Sequence, residues 1–387
     1  MMPKRSLILM LGIFLLVGAS CGKRDVLDRR PMESISVLPH QSQYLVVITL
    51  DGFRWEDLFR GADSALMWNK SYVRKDTAWL NKAFWAGDID ARRRKLMPFL
   101  WGLVASRGVL YGNRDLGSMV DVTNPYKISY PGYNEMFTGY ADPTLGSNDY
   151  GANPNYNVFE FFQLQPGYGT RNVAIFTEWE AFADILNEPR NGLELMAGAR
   201  DGEAVEKDIA DSSAETAKKQ VTAMVLYQPT DLPDSYDRRV YVAAKSYVMR
   251  YHPRVLYISF GATDTYGHWA QYDSYLQNAF NVDRMMKDLW QYYQGDPEYK
   301  DKTTFFITTD HGRGEGKLWT EHGSGIPHSG EVWLAAMGPD TKPGGEMATA
   351  YQLYQKQVAA TLAAFLGFDI EGTKRMGQRI GPLMDND

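Results

Sequence analysis

Acidic residues and a histidine stand directly after two apolar runs, and carboxylates together with imidazoles are common ligands of divalent metals in enzymes. Residues 303–309 are β-branched and aromatic, and they lead into Asp310 and His311. Residues 44–50 are similarly apolar and lead into Asp51. Runs of this length and composition are typical of buried strands. These residues suggest metal-assisted chemistry at the ends of two strands.

A third apolar run, residues 255–260, is followed by Asp264 and His268. Their spacing of four residues is about one helical turn, so both side chains can point to the same ion. A chance arrangement would require three separate apolar runs to finish close to an aspartate. Crowded acids and imidazoles without a cation would repel one another or lose hydration, and we therefore predict two divalent metal ions.

This chemistry requires the three runs to lie side by side in one sheet. Helical spacing of apolar residues over 240–251 precedes the run at 255–260, and an apolar C-terminal helix is predicted over 358–366. A late strand is predicted over 332–337. Strands that alternate with helices indicate an α/β protein, in which ligands bind at the carboxyl ends of the strands.

Ser129 is the candidate nucleophile. Pro125 and Pro131 interrupt long elements here, which places Ser129 on a turn before a helix predicted to start at Gly132. A hydroxyl on such a turn can face a cleft. The alternative is that Ser129 only caps the helix, a common role of serine.

Five motifs occur in a recognisable order along the chain. They are Asp51-Gly52-Phe53-Arg54, Ser129-Tyr130-Pro131 with Thr138-Gly139, Asp264 with His268, Asp310-His311-Gly312, and His328-Ser329-Gly330 followed by Gly338-Pro339. Together they resemble the alkaline phosphatase superfamily, and within it the type I phosphodiesterase and nucleotide pyrophosphatase branch. The resemblance covers residues 44–339.

The resemblance implies a specific set of metal ligands. One ion would be held by Asp51, Asp310, His311 and the Ser129 oxygen, and the other by Asp264, His268 and His328. The mixed imidazole and carboxylate ligands favour zinc, with manganese as the alternative. Ser129 would attack phosphorus to form a phosphoseryl enzyme, and both ions would stabilise the charge that develops.

The residues that contact the substrate are less well defined. His322 lies six residues before His328; we choose His328 as the ligand because the apolar run and Gly-Pro follow it, so His322 either contacts substrate or belongs to the loop. Asn148 and Asn153 are candidate donors to a phosphoryl oxygen, or else turn residues. Tyr133 stands where the branch often has His, and Ser129 stands where it usually has Thr. These departures leave the substrate class open.

The implied fold is a three-layer α/β sandwich, with a mainly parallel central sheet, helices on both faces and a cap insertion. The catalytic domain would cover 43–387, with insertions near 55–101 and 180–235. The first insertion holds five of the ten tryptophans. They either form an aromatic wall over the site or pack the insertion onto the core, and we favour packing.

The N-terminus indicates export. Two basic residues precede the apolar run 7–17, which is too short to span a bilayer, and Cys21 follows a group of small residues. Residues 1–21 therefore resemble a bacterial lipoprotein signal with lipidation at Cys21; the alternative is secretion with cleavage near Ser20. Residues 22–42 are predicted to be a polar tether to the membrane of the cell envelope.

The composition narrows the function classes. The net charge is −6, so the chain lacks the excess of basic residues that binding to nucleic-acid polymers requires. We predict an exported phosphoester hydrolase, a phosphodiesterase or phosphomonoesterase, that acts on a small molecule. The alternatives are a phosphotransferase or mutase of the same superfamily and a non-catalytic binding protein of the cell envelope. A formylglycine sulfatase is disfavoured because Tyr133 replaces the Arg of the Cys/Ser-x-Pro-x-Arg pattern.

Overall fold

The computed structural model describes residues 29–197 and 235–384. The predicted signal, Cys21 and most of the predicted cap lie outside the described residues. In chain order the strands are β1 (Glu33–Val37), β2 (Tyr44–Leu50), β3 (Val109–Tyr111), β4 (Met119–Asp121), β5 (Val173–Thr177), β6 (Glu194–Ala197), β7 (Val255–Phe260), β8 (Thr303–Thr308), β9 (Glu331–Val332), β10 (Leu334–Met337), β11 (Gly345–Glu346), β12 (Gln352–Tyr354) and β13 (Phe368–Glu371).

Eight of the described strands form the central sheet, in the order β11-β3-β10-β8-β2-β7-β5-β6. β2 lies in the middle and pairs in parallel with β7 on one side and β8 on the other. Strands β5 and β6 continue the parallel arrangement, whereas β10 is antiparallel to both of its neighbours. The sheet is therefore mainly parallel, as predicted. The small sheets β1-β13 and β12-β4-β9 lie outside it.

Both faces of the central sheet are buried. In β2 the side chains of Val46, Ile48 and Leu50 enter one apolar core, while Leu45 and Val47 enter the other. This alternation follows from the two-residue period of a strand, and apolar residues on both faces indicate that helices cover both sides. The predicted three-layer α/β fold is confirmed.

Helices supply the two outer layers. In chain order they are α1 (Trp55–Arg60), α2 (Ser64–Met67), α3 (Thr77–Phe84), α4 (Ile89–Leu96), α5 (Ala105–Arg107), α6 (Ser129–Thr138), α7 (Val158–Gln163), α8 (Phe182–Ile185), α9 (Glu188–Asn191), α10 (Tyr236–Tyr251), α11 (Ala262–His268), α12 (Tyr272–Gly295) and α13 (Val358–Phe365). A π-helical turn covers Leu100–Val104 and a 3₁₀ turn covers Gly316–Thr320. Helices α10 and α12 pack on one face, and α6, α7 and α13 pack on the other.

Helix α6 begins three residues earlier than the sequence predicted. It starts at Ser129, and Pro131 lies in its first turn. Proline is tolerated there because the first N–H groups of a helix have no partner within the helix. The prediction of a start at Gly132 treated Pro131 as a break, which was wrong.

The tryptophans of 55–101 divide between interior and surface. Trp55 and Trp101 are buried in the core that also contains α10 and α12. Trp68 and Trp79 are exposed. Packing against the core therefore accounts for some of these side chains and not for others.

Part of the predicted tether is folded. Strand β1, within the segment 22–42, pairs antiparallel with β13, and Met32 is buried. The polar composition of this segment hid a short edge strand, so the folded part of the chain begins before residue 43. Among the described residues, no helix is long and apolar enough to cross a membrane.

Candidate metal centre

The candidate site lies at the carboxyl ends of β8, β2 and β7. Residue pairs Thr49 with Thr308 and Leu50 with Phe260 are in register, so the three strands end at the same level. Parallel strands with this register bring the residues that follow them to one edge of the sheet. Asp51 and Asp310 follow their strands directly, or after one residue, and Asp264 lies on the helix that follows β7.

The first cluster consists of Asp51, Asp310 and His311. One ligand atom from each lies within 4.8 Å of the others, and all three residues are buried. His311 Nε2 is 3.4 Å from Asp51 Oδ1 and 3.5 Å from Asp310 Oδ2. Asp310 Oδ2 is buried without a hydrogen-bond partner. Because an unpaired buried carboxylate oxygen is unfavourable, this atom is suited to a cation.

Backbone groups orient this first cluster. His311 Nδ1 lies 2.9 Å from the Gly312 carbonyl, and since a carbonyl only accepts, Nδ1 carries the hydrogen and Nε2 faces the carboxylates. Gly52 N donates to Asp310 Oδ1 at 3.0 Å. Gly52 has a φ of 57°, and a Cβ there would lie 2.7 Å from Asp264 Oδ1. Only glycine fits this turn without strain.

The second cluster consists of Asp264, His268 and His322. Asp264 and His268 lie one turn apart on α11, with Asp264 Oδ2 3.2 Å from His268 Nε2. His322 Nε2 lies 2.9 Å from His268 Nε2. His322 Nδ1 donates to the Lys127 carbonyl at 3.2 Å, which leaves Nε2 to face the other two residues.

The structure places His322, and not His328, with Asp264 and His268. His328 Nδ1 lies 3.0 Å from Glu331 Oε1, and its Nε2 lies 3.7 Å from Glu315 Oε2. The preference for His328, which rested on the residues downstream of it, is contradicted by this geometry. Two histidines six residues apart in a loop cannot be distinguished by spacing, because the fold of the loop decides which one reaches the cluster.

The two clusters are contiguous. His311 Nε2 lies 4.0 Å from Asp264 Oδ1, and the rings of His311 and His322 stack with centroids 3.9 Å apart and planes at 15°. The six ligand groups therefore form one continuous group, as two adjacent cations require.

Arg313 is a site residue that the sequence analysis missed. Its buried guanidinium donates through Nη1 to Asp264 Oδ1, and through Nε to the Trp319 carbonyl at 2.7 Å. Nη2 donates to the Thr320 carbonyl. Arg313 thus joins the second cluster to the loop that carries His322. The available signal was its position two residues after His311, in the sequence Asp-His-Gly-Arg.

Ser129 is buried and faces the first cluster. Its Oγ lies 3.2 Å from His311 Nε2 and 3.4 Å from Asp51 Oδ1. Ile128 occupies the N-cap position of α6 and makes no side-chain cap bond, so the Ser129 hydroxyl is not the cap of this helix. It is placed beside the candidate metal ligands instead.

The other three residues that were predicted to contact substrate have different surroundings. Asn148 lies at the start of α6, where its Oδ1 accepts from Tyr130 N at 3.0 Å. Asn153 is fully buried and donates to Asn134 and to a backbone carbonyl, which is a structural role. Tyr133 is also buried, and its hydroxyl donates to Asp51 Oδ2 at 2.9 Å, so it orients a ligand and does not line the cleft.

The acids of the first cluster favour a positive charge. Burial and the neighbouring Asp51 raise the pKa of Asp310 above its usual range. Burial alone would lower the pKa of His311, but the charges of Asp310 and Asp51 outweigh it and raise that pKa to about 9. The first cluster therefore retains protons more readily than the isolated groups would. A divalent cation can replace such protons and satisfy both acids.

The second cluster has a different electrostatic balance. Burial and the nearby His311 lower the pKa of His322 to about 2, so this imidazole is neutral and able to bind a metal. Burial opposes ionisation of Asp264, but the Arg313 guanidinium outweighs it and holds the pKa of Asp264 well below its usual range. The donors of both clusters, imidazoles and carboxylates, are ligand types that divalent metals bind.

Comparison with known proteins identifies a shared fold. No model of a protein family matches the sequence, and no curated protein matches it. Solved structures do match. A protein in the alkaline phosphatase superfamily from Vibrio parahaemolyticus is 14% identical over 90% of this chain and 72% of that one, with a TM-score of 0.51.

Two enzymes of named activity match to a similar extent. Wild-type alkaline phosphatase PafA is 9% identical over 90% of this chain and 99% of its own, with a TM-score of 0.53. The 2-O GAG sulfatase BT1596 is 13% identical over 88% of this chain and 74% of its own, with a TM-score of 0.52. Both are hydrolases. At this identity the similarity concerns the fold alone, and it confirms the predicted alkaline phosphatase-like fold.

Proposed function

We propose that this chain, which has the alkaline phosphatase-like fold, is a two-metal phosphoester hydrolase with Ser129 as its nucleophile. The observation that carries the proposal is the position of Ser129 Oγ, 3.2 Å from His311 Nε2 and 3.4 Å from Asp51 Oδ1, at the edge of a cluster with an unpaired carboxylate oxygen. A nucleophile beside a metal cluster at the ends of parallel strands is suited to phosphoryl transfer.

The metal ligands of the proposal follow the two clusters. Asp51, Asp310 and His311 would hold one divalent cation beside the Ser129 oxygen. The cation of the second cluster would be held by Asp264, His268 and His322. When bound, the cations supply Lewis acidity, which lowers the pKa of the hydroxyl and stabilises charge on phosphoryl and leaving oxygens. Zinc is the proposed metal, with manganese as the alternative.

The residues of the chain have distinct roles in the proposed reaction. Ser129 Oγ forms a bond to phosphorus while the bond to the leaving oxygen breaks, and the departing alcohol gains the proton that Ser129 loses. Water then cleaves the Oγ–P bond of the phosphoseryl enzyme and restores Ser129. Asn148 accepts from Tyr130 N through Oδ1, so its Nδ2 is the donor proposed for a phosphoryl oxygen.

Phosphate is proposed as the substrate group in preference to sulfate. The segment Ser129-Tyr130-Pro131-Gly132-Tyr133 has a tyrosine in place of the Arg of the sulfatase pattern. Tyr133 is buried and bonded to Asp51, so a basic side chain at this position would put a charge into that contact. Ser129 therefore acts as a hydroxyl nucleophile in this proposal. The substrate is a small phosphoester; binding of nucleic-acid polymers is not part of the proposal.

Measurements of zinc content and of the hydrolysis of two esters test the proposal. Purified protein with two zinc ions per chain is expected to hydrolyse p-nitrophenyl phosphate or bis-p-nitrophenyl phosphate, and the ratio of the two rates separates monoesterase from diesterase. Ser129→Ala should lower kcat by at least about 100-fold while zinc content stays within one ion of wild type. A zinc-loaded wild type that turns over neither ester would refute the hydrolase and favour a binding protein.

Export and lipid anchoring are a separate part of the proposal. The support is the order of basic residues, the apolar run 7–17 and Cys21 in the sequence. In a bacterial host the full chain should partition into the detergent phase after Triton X-114 extraction, and Cys21→Ser should move it to the aqueous phase. Equal partitioning of both forms would contradict lipidation.

A further inference from the structure

The two metal clusters differ in the charge that they offer to a cation. The first has two carboxylates, Asp51 and Asp310, and both lie in the interior. The second has a single carboxylate, Asp264, and that carboxylate already has a cationic partner in Arg313. Counting Arg313, the second cluster carries no net negative charge when its histidines are neutral.

We infer that Arg313 makes the second cluster the weaker and more readily exchanged metal site, so that free divalent metal regulates the activity through this site. The inference rests on the proposed function, because it concerns the same pair of cations. It assigns a role to Arg313, namely to set the difference in affinity between two neighbouring sites.

Arg313 bonds to an oxygen of Asp264 that also faces a histidine of the second cluster. Arg313 Nη1 donates to Oδ1, which lies 3.6 Å from His322 Nε2, while Oδ2 lies 3.2 Å from His268 Nε2. The guanidinium therefore competes with a cation for Oδ1 of Asp264. It also places a fixed positive charge within a few ångströms of the cation that the second cluster would hold, and this repulsion lowers affinity.

Hydrogen bonds and burial hold Arg313 against Asp264. Its side chain is fully buried, Nε donates to the Trp319 carbonyl and Nη2 donates to the Thr320 carbonyl. Gly267, on the same helix as Asp264, leaves the space for it, since a Cβ at residue 267 would lie 2.6 Å from Arg313 Cζ. The charge is thus fixed in place before any cation binds.

The two clusters also differ in their exposure to solvent. The side chains of the first cluster are between 0% and 10% exposed, whereas the His268 side chain is 41% exposed. A cation in the second cluster is therefore closer to solvent and has a shorter route for exchange. The lower negative charge of the second cluster and its greater exposure should both weaken its hold on a cation.

The experiment is a zinc titration of metal-free protein in competition with a chromophoric chelator. Wild type should bind two zinc ions in two steps whose dissociation constants differ by at least about tenfold. His322→Ala should abolish the weak step and retain the tight one, and His311→Ala should remove the tight one. The zinc concentration that gives half-maximal ester hydrolysis by wild type should coincide with the weak step.

Two substitutions at Arg313 separate its charge from its hydrogen bonds. Arg313→Gln removes the charge and should tighten the weak step by about tenfold or more. Arg313→Lys keeps the charge but loses the planar fork, and its second step should remain weak. The tight step and the thermal unfolding temperature report whether each variant has folded.

Several outcomes would overturn the inference. Loosening of the second step in both variants would show that Arg313 only positions the loop of His322, and an unchanged second step would show that its charge is irrelevant. Should Arg313→Gln fail to fold, the wild type still decides, because two equal sites, or a weak step that His311→Ala removes, contradict the inference. Absence of bound zinc would instead refute the proposed function itself.

Discussion

Replacing Tyr133 with phenylalanine should weaken both the metal-free fold and the tight metal site. The Tyr133 hydroxyl donates to Asp51 Oδ2 at 2.9 Å and lies 3.2 Å from Ser259 Oγ, and all three residues are buried. Loss of a hydrogen bond to a buried carboxylate costs about 1.5–3 kcal/mol, because the oxygen left behind has neither water nor another donor. The free energy of unfolding of the chelator-treated protein should fall by this amount.

The neighbouring Tyr130 provides a matched control on the same helix. Its hydroxyl donates to the neutral Gly151 carbonyl at 2.6 Å. Tyr130→Phe should therefore cost only about 0.5–1.5 kcal/mol, the range for a bond between neutral groups, and should leave zinc affinity unchanged. Both aromatic rings are retained, so the comparison isolates the hydroxyls.

The assay has two parts. Chemical denaturation of the metal-free forms gives the free energies of unfolding, and chelator competition gives the affinity of the first cluster for zinc. Tyr133→Phe should lose zinc affinity because Asp51 is free to rotate away from His311. Equal effects of the two substitutions on both measurements would refute the view that Tyr133 orients a metal ligand.

Two further predictions concern the histidine pair and a buried acid. His322→Ala should lose one zinc ion and lower kcat by at least about 100-fold. His328→Ala should keep both ions and most of the activity, because the His328 ring contacts Glu331 instead. Metal analysis and ester turnover check both variants, and the reverse pattern would restore His328 as the ligand. Burial, only partly offset by backbone hydrogen bonds, raises the pKa of Asp283 to about 7. The folded state then binds a proton that the unfolded state has released, so wild-type stability should fall by about 3 kcal/mol between pH 5 and 8 through this group. Asp283→Asn should lack that slope in denaturation curves at several pH values; an unaltered slope would contradict the assignment.

Sequence alone could predict the sheet and the acids at its edge. Apolar runs with β-branched residues predicted β2, β7 and β8, and parallel strands necessarily bring Asp51 and Asp310 to the same edge. The spacing of Asp264 and His268 similarly follows from helical geometry. These features depend on local patterns and on a general property of parallel sheets, which is why they could be recognised without coordinates.

The remaining site features depend on contacts between distant parts of the chain. His322 reaches the second cluster because Arg313 and the Lys127 carbonyl hold its loop, and neither contact has a sequence pattern. Tyr133 lies on α6, whereas its partner Asp51 follows β2, so the sequence position of Tyr133 could not show that it donates to Asp51. The late strand predicted over 332–337 is divided into β9 and β10 at Trp333. Trp333 Nε1 donates to the Phe53 carbonyl, another long-range contact.

The contact between Lys127 and His322 uses a main-chain oxygen, which makes the side chain at residue 127 available for redesign. Lys127 has a φ of 54°, and this left-handed geometry also suits asparagine and glycine. His322 bonds to the main-chain oxygen of residue 127, so the imidazole keeps its acceptor when the side chain at this position changes. The orientation of His322 thus depends on the backbone conformation at residue 127 and not on the identity of its side chain.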